Sequence, residues 1–139
     1  MTTISNFAKA LFPHAEETRN LTVRVSVNYM AEQSQPGKAH WFWAYHIRIE
    51  NHGEMAVQLL TRRWVIEDGR GTKQIVEGEG VVGEQPVIKP GASYDYVSGC
   101  NLSTSSGSMQ GSYNMIGEDG SRFDIGVPKF ALNAPVTAR

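Results

Sequence analysis

The chain has 139 residues, enough for one domain. A fold of this size buries roughly 68–70% of the surface its unfolded chain exposes, so its core needs no disulfide or metal staple. The 13 basic and 14 acidic residues leave a formal net charge of −1, and there is one cysteine, Cys100; this argues against a protein built to grip nucleic acid and excludes an internal disulfide or a four-cysteine zinc site.

The first twenty residues differ from the rest and are expected to be an N-terminal tail. Ser5 is placed to cap a short helix from Asn6 to Phe12, with Pro13 ending it. No charged segment precedes the only apolar stretch, and Lys9 interrupts it, so it does not read as a secretory signal. The longest apolar run, residues 41–45, is far short of the ~20 residues of a membrane helix. A cytoplasmic location and no membrane contact are the expectations.

From Leu21 the period becomes two. Leu21, Val23, Val25, Val27 and Tyr29 alternate with Thr22, Arg24, Ser26 and Asn28, which predicts a half-buried strand. A turn at residues 35–38 leads to a second strand, with Trp41, Trp43, Tyr45, Ile47 and Ile49 on one face. A third begins with Met55, Val57 and Leu59, then continues as Leu60, Trp64 and Ile66 on the opposite parity. Such a flip predicts a bulge or a switch between sheets. Residues 73–77 are at best a short strand, and Val87-Ile88 is another short candidate. Tyr94, Tyr96 and Ser98 open a strand ending near Leu102. Residues 109–116 and 122–130 form a final pair around Asp119-Gly120, a strong hairpin signal. About seven strands at regular spacing predict an all-β antiparallel two-sheet sandwich, like an immunoglobulin or fibronectin type III domain, over residues 21–132. Residues 133–139 are expected to be a C-terminal tail.

Five blocks stand out: Val57-Gln58-Leu59-Leu60-Thr61-Arg62-Arg63-Trp64, Gly78-Glu79-Gly80-Val81-Val82-Gly83-Glu84-Gln85-Pro86, Lys89-Pro90-Gly91, Tyr96-Val97-Ser98-Gly99-Cys100 and Met109-Gln110-Gly111-Ser112-Tyr113-Asn114-Met115. Together they resemble the bacterial ApaG family. The resemblance spans about residues 20–132 and implies a fibronectin-type sandwich. It also implies a link to cobalt and magnesium homeostasis, a gene neighbourhood shared with a diadenosine tetraphosphate hydrolase, and, in eukaryotic relatives, use as an interaction module. The family is further discussed as binding nucleotide or pyrophosphate through its glycine motif.

That motif, Gly78-x-Gly80-x-x-Gly83, has two readings. Glycines of this spacing can cradle a pyrophosphate where a strand feeds a helix, or a loop can do so with a nest of backbone N–H groups. Here Pro86 and residues 87–90 follow instead of an amphipathic helix, and Glu77, Glu79 and Glu84 surround the loop. The competing reading is a tight connection shaped by positive φ or close packing. Arg62 and Arg63 are the best anion-binding pair, because the flip allows one of them to reach a neighbouring loop; otherwise they are ordinary strand charges or partners of the loop glutamates. Lys73 is a further counter-charge, and Mg²⁺ would accompany a bound phosphate.

The histidines, His14, His40, His46 and His52, form no compact ligand triad, so no metal site is expected beyond a weak Mg or Co association implied by the resemblance. Cys100 reads as a small buried hydrophobe rather than a nucleophile. The serines at 103–108 lack the context of a nucleophile elbow. The aromatic residues fall at strand periods and read as core; Phe42, on the outer face, is the first candidate for a partner patch. With no catalytic constellation, three functions are weighed. The first is a non-enzymatic interaction module with a protein partner or a second copy of itself. The second is a phosphate or nucleotide binder through Gly78, Gly80, Gly83, Arg62 and Arg63. The last is a hydrolase of polyphosphorylated nucleotides, which would need an activator and a metal clamp.

Overall fold

The computed structural model describes residues 11–135. Most of the short helix expected over residues 6–12 therefore lies outside the described residues. Within them, β1 (His14–Thr18), β2 (Leu21–Tyr29), β3 (Trp41–Asn51), β4 (Val57–Asp68), β5 (Lys73–Glu79), β6 (Val87–Ile88), β7 (Ser93–Leu102), β8 (Ser106–Gly117) and β9 (Arg122–Asn133) follow one another. They form two antiparallel sheets, one ordered β1-β2-β3-β7 and the other β5-β4-β8-β9, with β6 paired to the start of β4. The predicted sandwich is therefore correct in class. No helix of the described residues is long and apolar enough to cross a membrane.

The core follows the alternation. Leu21, Val23 and Val25 of β2 and Trp43, Tyr45, Ile47 and Ile49 of β3 are all buried, facing Met109, Tyr113, Met115, Ile125 and Phe130 of the other sheet. Among the described residues the strand count is nine rather than about seven. One of the extra strands, β1, lies in what the sequence assigned to the N-terminal tail. Its five residues are mostly exposed and polar, so they leave no apolar signature, and the strand is held by pairing with β2. The last strand also runs into the expected C-terminal tail: Asn133 closes β9, and its carbonyl accepts a bond from the Trp43 indole at 3.1 Å.

The predicted flip in β4 is a bulge. Its pairing with β8 shifts between Leu59 and Thr61, leaving Leu60 unpaired in the register. The Leu60 carbonyl instead accepts the Gly80 amide at 2.8 Å and the Gln85 side-chain amide at 2.9 Å. Beyond the bulge, Arg62 takes the inward parity of Trp64 and Ile66. The two long sides of the sandwich differ. On one, β1 meets β9, where the Gly126 amide donates to the Thr18 hydroxyl at 3.2 Å. On the other, the free edges of β5 and β7 flank an open cleft.

Candidate functional site

The glycine segment that follows β5 is a hairpin held by Arg62. One guanidinium nitrogen, Nη1, donates to the carbonyls of Glu79 at 3.0 Å and Gly80 at 2.9 Å. The guanidinium plane lies against Gly78: a Cβ built there would stand 2.8–2.9 Å from Nη2, Cζ and Nη1. Any side chain here would have to displace the guanidinium from this position. Gly80 has φ +65°, and a Cβ on it would meet the Glu84 carbonyl oxygen at 2.3 Å. Val81 and Glu84 exchange backbone bonds of 2.8 and 2.9 Å around the central pair Val82 (φ 44°) and Gly83 (φ 81°). Positive φ at both central residues is the signature of the type I′ turn, which normally takes Asn-Gly.

Each glycine of the motif thus has a geometric reason. The amides of Gly80, Val81 and Glu84 are bonded inside the hairpin or to β4, while the carbonyls of residues 79 and 80 turn toward the arginine. A phosphate nest needs the opposite polarity, with convergent free N–H groups. Arg62, Gly78, Gly80 and Gly83 come together as the sequence suggested. Arg63 does not join them. It projects from the other face of β4, where its Nε lies 3.4 Å from an exposed Glu77 carboxylate. There it borders a shallow polar depression of about 520 Å³ with Thr61, Ser112, Asn114 and Asp124.

The cleft on the open side of the sandwich is floored by Arg62. One lobe, about 360 Å³, lies between the hairpin and β7 and is bounded by Tyr45, Trp64, Val82, Tyr96 and Ser98. A second, about 320 Å³, continues past Arg62 between Gln74 and Val76 of β5 and Cys100 and Asn101 of β7. Beneath it, the buried hydroxyls of Tyr96 and Tyr113 bond each other. Burial raises the pKa of Tyr96 and of Tyr113, so both stay protonated and neutral. Burial also pushes the Cys100 thiol up to about 11, the reverse of what activates a nucleophilic cysteine.

The remaining candidates resolve as structure. Phe42 is half-buried and covers Gly99, where a Cβ would be 2.3 Å from its ring. Among the described residues, no three His, Cys, Asp or Glu side chains gather as a metal site. His46 bonds Asp95 at 2.8 Å and His52 bonds Glu50 at 3.0 Å. Sequence reasoning missed the most unusual residue, Val82: a β-branched side chain at positive φ, and 55% exposed. The signal was present as Val82-Gly83 standing in the slot of an Asn-Gly turn.

A family model described as the ApaG domain matches residues 31–117, a span that contains Arg62, the hairpin and β7. The chain belongs to the ApaG family. Two ApaG proteins show how much of it is shared. That of Afipia carboxidovorans is 55% identical over 118 residues, covering 85% of this chain and 91% of its own. That of Paramagnetospirillum magneticum is 52% identical over 122 residues, covering 88% and 94%. The crystal structure of an ApaA protein from Bordetella pertussis has 43% identity and a TM-score of 0.81, covering 84% of this chain and 95% of its own.

Proposed function

We propose that this ApaG-family chain is a non-enzymatic module that binds a protein partner at the open side of the sandwich, where the hairpin of residues 81–84 stands beside the Arg62 cleft. The observation that carries this reading is Val82. A residue held at such a φ costs of order 1–3 kcal/mol, and strain of this kind collects at binding sites. Its neighbour Val81 is buried and anchors the turn, but Val82 is exposed and contributes nothing to the core. Asparagine or glycine would make the same turn more cheaply. A valine there is explained by an apolar contact outside the chain.

A nucleotide reading has the weaker support, since the amides of Gly80, Val81 and Glu84 are already engaged and glutamates border the loop. Among the described residues no three His, Cys, Asp or Glu side chains gather, and on this reading a link to cobalt or magnesium homeostasis runs through a partner. The test places a photo-crosslinking residue at position 82 in living cells, with the same probe at Ser121 as a control. Discrete adducts from position 82 alone are expected. Their absence, or saturable shifts of the Gly78, Gly80 and Gly83 amides on titration with pyrophosphate and Mg²⁺, would overturn the proposal.

A further inference from the structure

Edge strands are a hazard that proteins manage with charge, proline, bulges, short length or a cover. Three of the four sheet edges here are managed. The outward positions of β5 carry Lys73, Glu77 and Glu79 around an exposed Ile75. The outermost strand on the closed side, β1, is five residues long and holds Glu16 and Glu17. Across from it β9 contains Pro128, and its pairing with β8 is bulged. The fourth edge has a single charge, Asp95, and no other of these devices. Over its ten residues β7 holds no Lys, Arg or Pro, and its register with β3 is unbroken.

The direction of its free backbone groups follows from the ladder. Extending the register of Glu50 and Ser93 by one residue sets Asn51 opposite Ala92, and the Asn51 amide donates to the Ala92 carbonyl. Hydrogen-bonded pairs alternate along an antiparallel ladder, so the even-numbered residues of β7 bond β3. The groups of Ser93, Asp95, Val97, Gly99 and Asn101 face the open edge, and all five residues are exposed. The one acidic side chain among them is already held from its own sheet: Asp95 takes bonds from His46 at 2.8 Å and Arg48 at 3.0 Å.

We infer that β7 pairs with β7 of a second copy of this chain, antiparallel about a two-fold axis at Val97, joining two four-stranded sheets into one of eight strands. The edge is complementary to itself in that register and no other uses all five residues. Val97 meets Val97 of the second copy, Asp95 meets Gly99, and Ser93 meets Asn101. Every outward N–H and C=O finds a partner, roughly ten bonds at two per hydrogen-bonded pair. No like charges stand opposite each other, whereas centring the axis on Asp95 would oppose two carboxylates. Val97 is 60% exposed, and beside it Phe42 over Gly99 extends the same apolar strip. A contact of one strand belongs to the small, transient class of interfaces, below about 1,200 Å², so the dimer should be concentration-dependent. This inference does not rest on the cleft proposal: both lie on the open side of the sandwich, but crosslinking at position 82 reads the one and oligomeric state reads the other.

Sedimentation equilibrium from roughly 10 μM to 1 mM, the range suited to an interface of this class, tests it. The apparent mass should rise from 15.3 kDa toward twice that value. Val97→Lys and Val97→Glu, checked for native folding by near-ultraviolet circular dichroism, should each stay monomeric. An equimolar mixture of the two should recover the dimer, because the axis sets the two charges opposite each other. A native chain that is monomeric throughout, a dimer that survives Val97→Lys, or a mixture that fails to associate would overturn the inference.

Discussion

At the residue scale the three glycines of the motif are not equivalent, and their substitution should separate geometry from ligand binding. Gly83 has positive φ but open space around it. Gly83→Ala should therefore cost only the left-handed penalty, about 1–2 kcal/mol. Gly80 has positive φ and a carbonyl oxygen 2.3 Å from the new Cβ, so Gly80→Ala should cost clearly more. Urea denaturation of the two variants gives the order directly; equal losses would mean that the hairpin relaxes freely. Val82→Asn should act in the other direction, adding about 1 kcal/mol of stability by relieving the strain. The same variant should lose the cellular adducts assigned to this position when the probe is moved to Gly83. A gain in stability with unchanged adducts would separate strain from binding.

At the element scale, Arg62 couples β4 to the hairpin. Its guanidinium plane lies against Gly78 while Nη1 donates to two carbonyls, and a lysine ammonium offers no such plane. Arg62→Ala should cost about 1–2 kcal/mol, the range for losing one exposed and one part-buried hydrogen bond. It should also speed hydrogen exchange at the Val81 and Glu84 amides more than in the centre of β3. Arg62→Lys should not restore protection. Exchange unchanged in both variants would show that the hairpin stands without the arginine. The sequence carried half of this arrangement. The parity flip at Leu59-Leu60 located the bulge, because period two makes any one-residue slip visible. It could not say which arginine turned inward, since that depends on which residue is left out of the ladder. It also hid β1, whose polar residues are placed by a neighbouring strand rather than by burial. The glycine spacing was legible as a motif; its meaning was not, because a phosphate nest and an arginine-held hairpin need the same residues and differ only in which backbone groups face inward.

At the scale of the whole molecule, one carboxylate ties three strands of the first sheet and should govern acid stability. Arg24 of β2 and Arg48 of β3 stand directly opposite each other, a like-charge pair that is unfavourable by itself. Glu50 lies between them, accepting from Arg24 and Arg48 at 2.9 Å each and bonding His52 at 3.0 Å. Arg48 passes the network on to Asp95 of β7. Burial alone would raise the Glu50 pKa, but the bonds from Arg24, Arg48 and His52 outweigh it and pull it from 4.5 to about 2. A carboxyl lowered in the folded state stabilises above its unfolded pKa and loses that contribution as pH falls. The native chain should therefore keep this stabilisation, no more than about 3 kcal/mol, above pH 4.5 and lose it progressively toward pH 2. Arg24 is 3% exposed, so Glu50→Gln leaves a buried cation without its counter-charge, and the variant should be less stable at neutral pH by up to about 3 kcal/mol. The gap between native and variant should narrow as pH falls from 4.5 to 2, because protonation makes the native side chain as neutral as glutamine. Denaturation midpoints at neutral pH and at pH 3 read this gap. A constant difference across that range would mean that Glu50 acts by shape and packing, and that the two arginines do not depend on its charge.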